Sequence, residues 1–300
     1  MAADNLGFLK TVCGSEYAPT AMPRLCSRVP ALLGLFLFVV TTGPLVAQDL
    51  AAIYHHSDAE SRQTSSSGWD AFLAEHRSQR AAGYRLTDLE TYRDGADERR
   101  YLGLYTKSVL EDHVERVSGW SNFIKLKRAM VDREFTLVDV AAVVNNESDY
   151  DFYGVWVKDE HPVIHKVWFL DSKETMLDRT RKMARDRFKI KRAYVLPIPN
   201  GEPAFVVLYH FSPVNRFNFI HFADTPEEFA AEIAERRRSK VQLIDYAHYR
   251  EGNRDQYLGI FQDGDYDAAF LPGVPFGGLG VASDSLAAAR GLRLVNLTVN

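Results

Sequence analysis

A unit of about 52 residues recurs four times along this chain and begins a fifth time. Tyr105, Trp156, Tyr209 and Phe261 each close a short apolar run, at steps of 51, 53 and 52 residues. An apolar anchor stands 20 or 21 residues earlier in every copy: Tyr84, Phe135, Phe188 and Val241. Another stands 12 residues before that: Phe72, Phe123, Met176 and Phe229. A fixed period of this size restricts the chain to a repeat architecture, in which each unit buries its apolar face against its neighbours. Such arrays are more often scaffolds and binding surfaces than catalysts.

Each copy reads the same way. Residues 69–79, 121–132, 173–186 and 226–237 lack internal Pro or Gly and carry apolar residues at helical spacing. Ser67, Ser118, Asp171 or Ser172, and Asp224 or Thr225 are the expected N-caps. A strand of alternating apolar residues follows, as in Tyr84-Arg85-Leu86 and Phe135-Thr136-Leu137. Polar turns come next: Asp94 to Asp97, Asn145 to Ser148, Pro199 to Glu202, Glu251 to Asn253. They predict hairpins into the apolar run that the aromatic closes. A weaker third strand is expected at 114–117, 163–170, 217–222 and 268–271. The chain ends on Gly291-Leu292-Arg293-Leu294, which matches Gly83-Tyr84-Arg85-Leu86, so a fifth unit stops after its first strand. The expected fold is α+β: a tandem array of helix plus antiparallel β units, curved or closed like a propeller.

The first 47 residues read as a leader. Arg24 and Arg28 precede the uncharged stretch 29–47, whose continuous apolar core spans residues 31–40. Thr41 to Pro44 break it, and Ala47 offers a small residue for cleavage. This is the layout of a secretory signal peptide, and the core is short for a membrane span, which needs about 20 apolar residues. Met22 is a more ordinary start for it than Met1. Secretion or a periplasmic location is expected, with a retained N-terminal anchor as the alternative. Cys13 and Cys26 both fall in the leader, so the exported part has no disulfide and no thiolate site. Residues 48–66 read as a polar linker, and 67–300 as the repeat domain, with units near 67–117, 118–170, 171–223 and 224–276 and a partial one at 277–300. The net charge is −4, or −5 without the leader, and no basic stripe suggests nucleic acid.

Gly83-Tyr84-Arg85-Leu86-Thr87-Asp88-Leu89, a Gly-containing turn, then Arg100-Tyr101-Leu102-Gly103-Leu104-Tyr105 resembles the bacterial tandem repeat found in the N-terminal half of secreted polyglycine hydrolases. Trp156 stands where that family's closing Trp is expected, and His221 resembles its His upstream of the helix. The resemblance covers residues 67–300. Arg192 departs from it, replacing the Asp expected in the third unit. In those hydrolases catalysis belongs to a separate serine β-lactamase-like domain. Neither Ser-x-x-Lys nor Gly-x-Ser-x-Gly occurs here, so the resemblance implies the repeat portion without the enzyme.

The candidate binding residues are Asp88, Asp139 and Asp245, each four residues after a strand anchor, and His113, His165 and His221. Repeated acids make a cation-binding rim or cap and pair structural groups; repetition favours the second. The three histidines fall at roughly similar places before the third strand or helix, so they either line a shared surface or bond locally. His55, His56 and Asp58 lack a third convergent metal donor. His161 and His165 lie about 13 Å apart if the strand is extended. No metal or cofactor is expected. Asn146 and Asn296 open glycosylation sequons. The reading is a non-catalytic module that binds an extracellular protein, peptide or glycan. The alternatives are a hydrolase using His210, His221 and Asp245, and a membrane-tethered interaction module if the leader is kept.

Overall fold

The computed structural model describes residues 50–300 apart from 58, 94–97, 147–148, 197, 199–200, 215–216, 265–266, 291 and 300. These lie in one compact unit, Leu45–Asn300. The leader, its two cysteines and the turn at Asp94 to Asp97 fall outside the described residues. In chain order come β1 (Leu50–His56), β2 (Ser61–Ser67), α1 (Trp69–Ala81), β3 (Tyr84–Arg93), β4 (Arg99–Lys107) and β5 (Asp112–Ser118). Next are α2 (Trp120–Asp132), β6 (Phe135–Asn146), β7 (Asp149–Lys158), β8 (His165–Leu170), α3 (Lys173–Arg185), β9 (Phe188–Leu196) and β10 (Ala204–Phe211). The chain finishes with β11 (Asn218–Ala223), α4 (Pro226–Arg238), β12 (Val241–Glu251), β13 (Arg254–Asp263), β14 (Ala268–Val274), α5 (Phe276–Arg290) and β15 (Leu292–Val299).

The helices start and stop for local reasons. Ser172 and Thr225 accept the amides of Thr175 and Glu228, as expected of N-caps. Ser67 and Ser118 do not cap. Gly68 and Gly119, at φ +81° and +82°, turn the chain into α1 and α2 instead, and the serine hydroxyls donate to Glu98 and Asp151. Helices α1 to α4 each end at a left-handed residue: Gly83, Glu134, Arg187 and Lys240. Only the first is glycine, so the Gly of the Gly-Tyr-Arg signature marks a backbone need that the other units meet under strain.

The strands form five separate three-stranded antiparallel sheets, not one barrel: β2-β4-β3, β5-β7-β6, β8-β10-β9, β11-β13-β12 and β14-β1-β15. The expected third strand of each copy therefore belongs to the next sheet. The chain runs outer strand, helix, inner strand, hairpin, middle strand, so the outer strand pairs with the hairpin beyond its helix. The inner strands adjoin in the order β3, β6, β9, β12, β15, and β15 adjoins β3 again.

Residues 48–66, expected as a linker, instead supply β1 and β2. β1 is the middle strand that the fifth unit lacks. Tyr54 lies opposite Leu294 as Tyr105 lies opposite Leu86 and Trp156 opposite Leu137. It stands 51 residues before Tyr105, and is the fifth closing aromatic. Leu50 to Tyr54 are all buried, which the short polar surroundings in sequence hid.

Tyr105, Trp156 and Phe261 fold back along their own strands. A Cβ on Gly103 or Gly154 would stand 2.6 Å from the Tyr105 ring or 2.1 Å from the Trp156 ring. Glycine two residues before the anchor is thus what lets the ring lie over the backbone. Phe72, Phe123, Met176 and Phe229 pack from the helices onto these middle strands and are at most 2% exposed. Tyr54→Ala is expected to cost about 3–5 kcal/mol, as for large buried aromatics generally; a denaturation midpoint equal to wild type would show that β1 does not hold the fifth sheet.

Candidate functional site

Every inner strand carries an extra residue at the equivalent place. The register slips at Thr87, Val138, Lys191, Ile244 and Val295, in five sheets at the same place. The residue after each bulge is Asp88, Asp139, Arg192, Asp245 or Asn296. The inner-strand circuit brings these five side chains to its centre.

There the single cation of the set meets all three acids. Arg192 lies 2.8 Å from Asp88, 3.2 Å from Asp139 and 3.2 Å from Asp245, and all four side chains are less than 10% exposed. The carboxylates also accept backbone amides from neighbouring inner strands: Asp139 from Leu89 at 2.7 Å, Asp245 from Ala193 at 2.7 Å, Asp88 from Leu297 at 2.9 Å. Asn296 Nδ2 donates to Asp245 Oδ1 at 2.8 Å. Asp88 to Leu297 joins the first inner strand to the last. The cluster sits against a cavity of about 60 Å³ whose walls include Glu90, Tyr194, His248 and Thr298.

Burial dominates the electrostatics. It pushes Asp139 up to about 7 and Asp245 up to about 6, against the pull of Arg192. Glu90 is raised well above the usual carboxylate range by the same desolvation and by the nearby Asp88. Arg192 is raised further by its three acids, although burial alone would lower it. One guanidinium cannot neutralise three aspartates, so the centre holds protons at a pH where exposed carboxylates are ionised. Arg192→Met leaves three buried carboxylates unpaired and is expected to cost about 3–5 kcal/mol. Combining it with Asn at Asp88, Asp139 and Asp245 should recover most of that loss. Equal stability of Arg192→Met and wild type by chemical denaturation would deny the cluster its role.

The histidines do not converge. His113 lies opposite Trp156, His165 opposite His210, and His221 opposite Gly259, so the three occupy different register positions on the outer strands β5, β8 and β11. Two bond locally, His113 to Glu115 at 3.0 Å and His165 Nδ1 to the Val163 carbonyl at 3.0 Å, while His221 Nδ1 lies 3.7 Å from Glu232. His210 and Asp245 take different partners again. His210 Nε2 donates to the Leu137 carbonyl at 2.7 Å, across two units. His55 makes the equivalent bond to the Leu243 carbonyl at 3.1 Å. Among the described residues no group of three or more His, Cys, Asp or Glu is placed to hold a metal. The Asn296 sequon lies on a side chain 2% exposed and bonded within the cluster.

Desolvation pushes His165 down to about 4 and His210 down to about 3. A depressed histidine contributes stability that is present above its unfolded value near 6.5 and is lost as pH falls toward the folded value. Asp139 and Asp245 act oppositely: their contribution is present below about 3.8 and is lost as pH rises through about 7 and about 6. His210→Gln keeps an amide donor and cannot be protonated. It should raise stability at pH 4.5 relative to pH 7 by about 1–2 kcal/mol compared with wild type; denaturation midpoints at the two values read this directly, and an unchanged difference would exclude His210 as a contributor.

The fold and its centre define a tandem α+β repeat protein tied together by a buried ionic knot. Residues 69–108, the span of α1, β3 and β4, match the family model described as polyglycine hydrolase-like, structural repeat. The first unit thus carries that structural repeat, in agreement with the resemblance of its Gly-Tyr-Arg and Arg-Tyr segments. No curated protein matches the chain.

Two members of the central set escape motif reading. Arg192 stands out only as a departure from Asp. Asn296 lies four residues after Leu292, the same offset as Asp88 from Tyr84, so its position was legible while its charge-neutral role was not.

Proposed function

We propose that this chain is a secreted or periplasmic binding module, a closed propeller-like ring whose repeats form a rigid frame and not a catalytic centre. The observation that supports this reading is the use of all five equivalent central positions. Four hold the ionic knot and the fifth, Asn296, braces it. The cavity beside them, about 60 Å³, is far below the roughly 300–1,000 Å³ of small-molecule sites.

Recognition then falls to the outside. A groove of about 600 Å³ beside β8 and α3 is lined by Phe169, Leu170, Asp171, Glu174, Thr175, Asp178 and Arg179. Three carboxylates beside Phe169 suit a basic or polar peptide segment or a glycan. Exported protein is expected to begin near Gln48 by mass spectrometry, which separates this reading from a tethered module. Screening that protein against peptide and glycan arrays should give ligands whose binding Glu174→Lys and Asp178→Lys weaken. Peptidase or esterase turnover that His210→Gln abolishes would instead establish the hydrolase.

A further inference from the structure

The fifth sheet takes its middle strand from the opposite end of the chain. β1 is bonded on both edges, to β14 and to β15. Its five consecutive residues Leu50 to Tyr54 are each at most 2% exposed. Leu50, Ala52 and Tyr54 pack with Leu279, Leu292 and Leu294 on one side, while Ala51 and Ile53 pack with Phe229, Leu243 and Phe261 on the other. The strand therefore fits its slot on both faces.

Its covalent link to the rest of the chain is short by comparison. Residues 57–60 connect it to β2, and no residue of β2 is buried. The helix over it is rich in glycine. α5 contains Gly277, Gly278 and Gly280, each costing about 1 kcal/mol of helix propensity against alanine. Among its described side chains the fully buried one is Leu279. α5 packs chiefly on β15. Withdrawal of β1 leaves the other four sheets with all their strands and opens two strand edges over an apolar floor, which must be refilled.

We propose that β1 is an exchangeable strand, and that the slot between β14 and β15 accepts β1 from a second copy of this chain. A second copy is the occupant because its β1 restores every antiparallel pair and both apolar clusters. Only the path of residues 57–60 differs, so protein concentration sets the balance between closed monomer and exchanged dimer. The proposal rests on the pairing of β1 and is independent of what the outer groove binds.

The test uses the full chain with Cys13 and Cys26 replaced by serine, so that engineered thiols stand alone. His55 lies opposite Arg293 in the sheet. The double variant His55→Cys, Arg293→Cys should close a disulfide within one chain. The two single variants, mixed and incubated, should form a mixed disulfide dimer whose yield rises with protein concentration and with mild warming. A mixture of His55→Cys with Arg254→Cys, an exposed site on β13, should not. Three results overturn the proposal: a double variant that fails to close, a mixture that stays uncrosslinked while the double variant closes, or equal crosslinking in the Arg254 control.

Discussion

One guanidinium holds four of the five units. Arg192 projects from the third inner strand and reaches carboxylates on the first, second and fourth. A buried ion pair is weak evidence of stability, since desolvation offsets most of the attraction. Its effect here is on arrangement. The three acids each spend a second oxygen or lone pair on a backbone amide of another unit, so the cluster fixes how far each inner strand slides along the next. The bulges make this possible, because the extra residue swings the following side chain to the centre while the strand keeps its outer pairing. Everything outside the centre repeats; the centre does not.

Around that point the molecule is built from aromatic packing. Helix residues such as Phe123 press on the middle strand, and the closing ring of the same strand lies over its own glycine. Packing of this kind needs volume and shape but not identity, which is why Phe, Met, Tyr and Trp alternate at equivalent places. Histidines fill the gaps as neutral donors to carbonyls across unit boundaries, and their depressed basicity follows from that burial.

Much of this was legible in the residues. The 52-residue period, the helix spans and the hairpins followed from spacing and turn chemistry. Unit boundaries were not, because a strand's partner depends on what lies beyond the next helix. β1 was missed for a related reason: Leu50-Ala51-Ala52-Ile53-Tyr54 sits next to serines and histidines, and its apolar run finds partners over 200 residues away. Asp88, Asp139 and Asp245 were picked out by repetition alone, and they meet at Arg192. The histidines were grouped by approximate position, and a shift of one or two residues on an outer strand was enough to separate them.

The unequal charges at five equivalent posts have a consequence for how such an array can change size. Inserting or losing one unit alters the count of carboxylates around a single guanidinium, and shifts which strand faces which. A sixth post bearing Asp would add an uncompensated buried charge; loss of the third unit would remove the only arginine among these five positions. Duplication of an acid-bearing unit is therefore opposed here by electrostatics at the centre, whereas a second arginine post would relieve the excess of acids around Arg192.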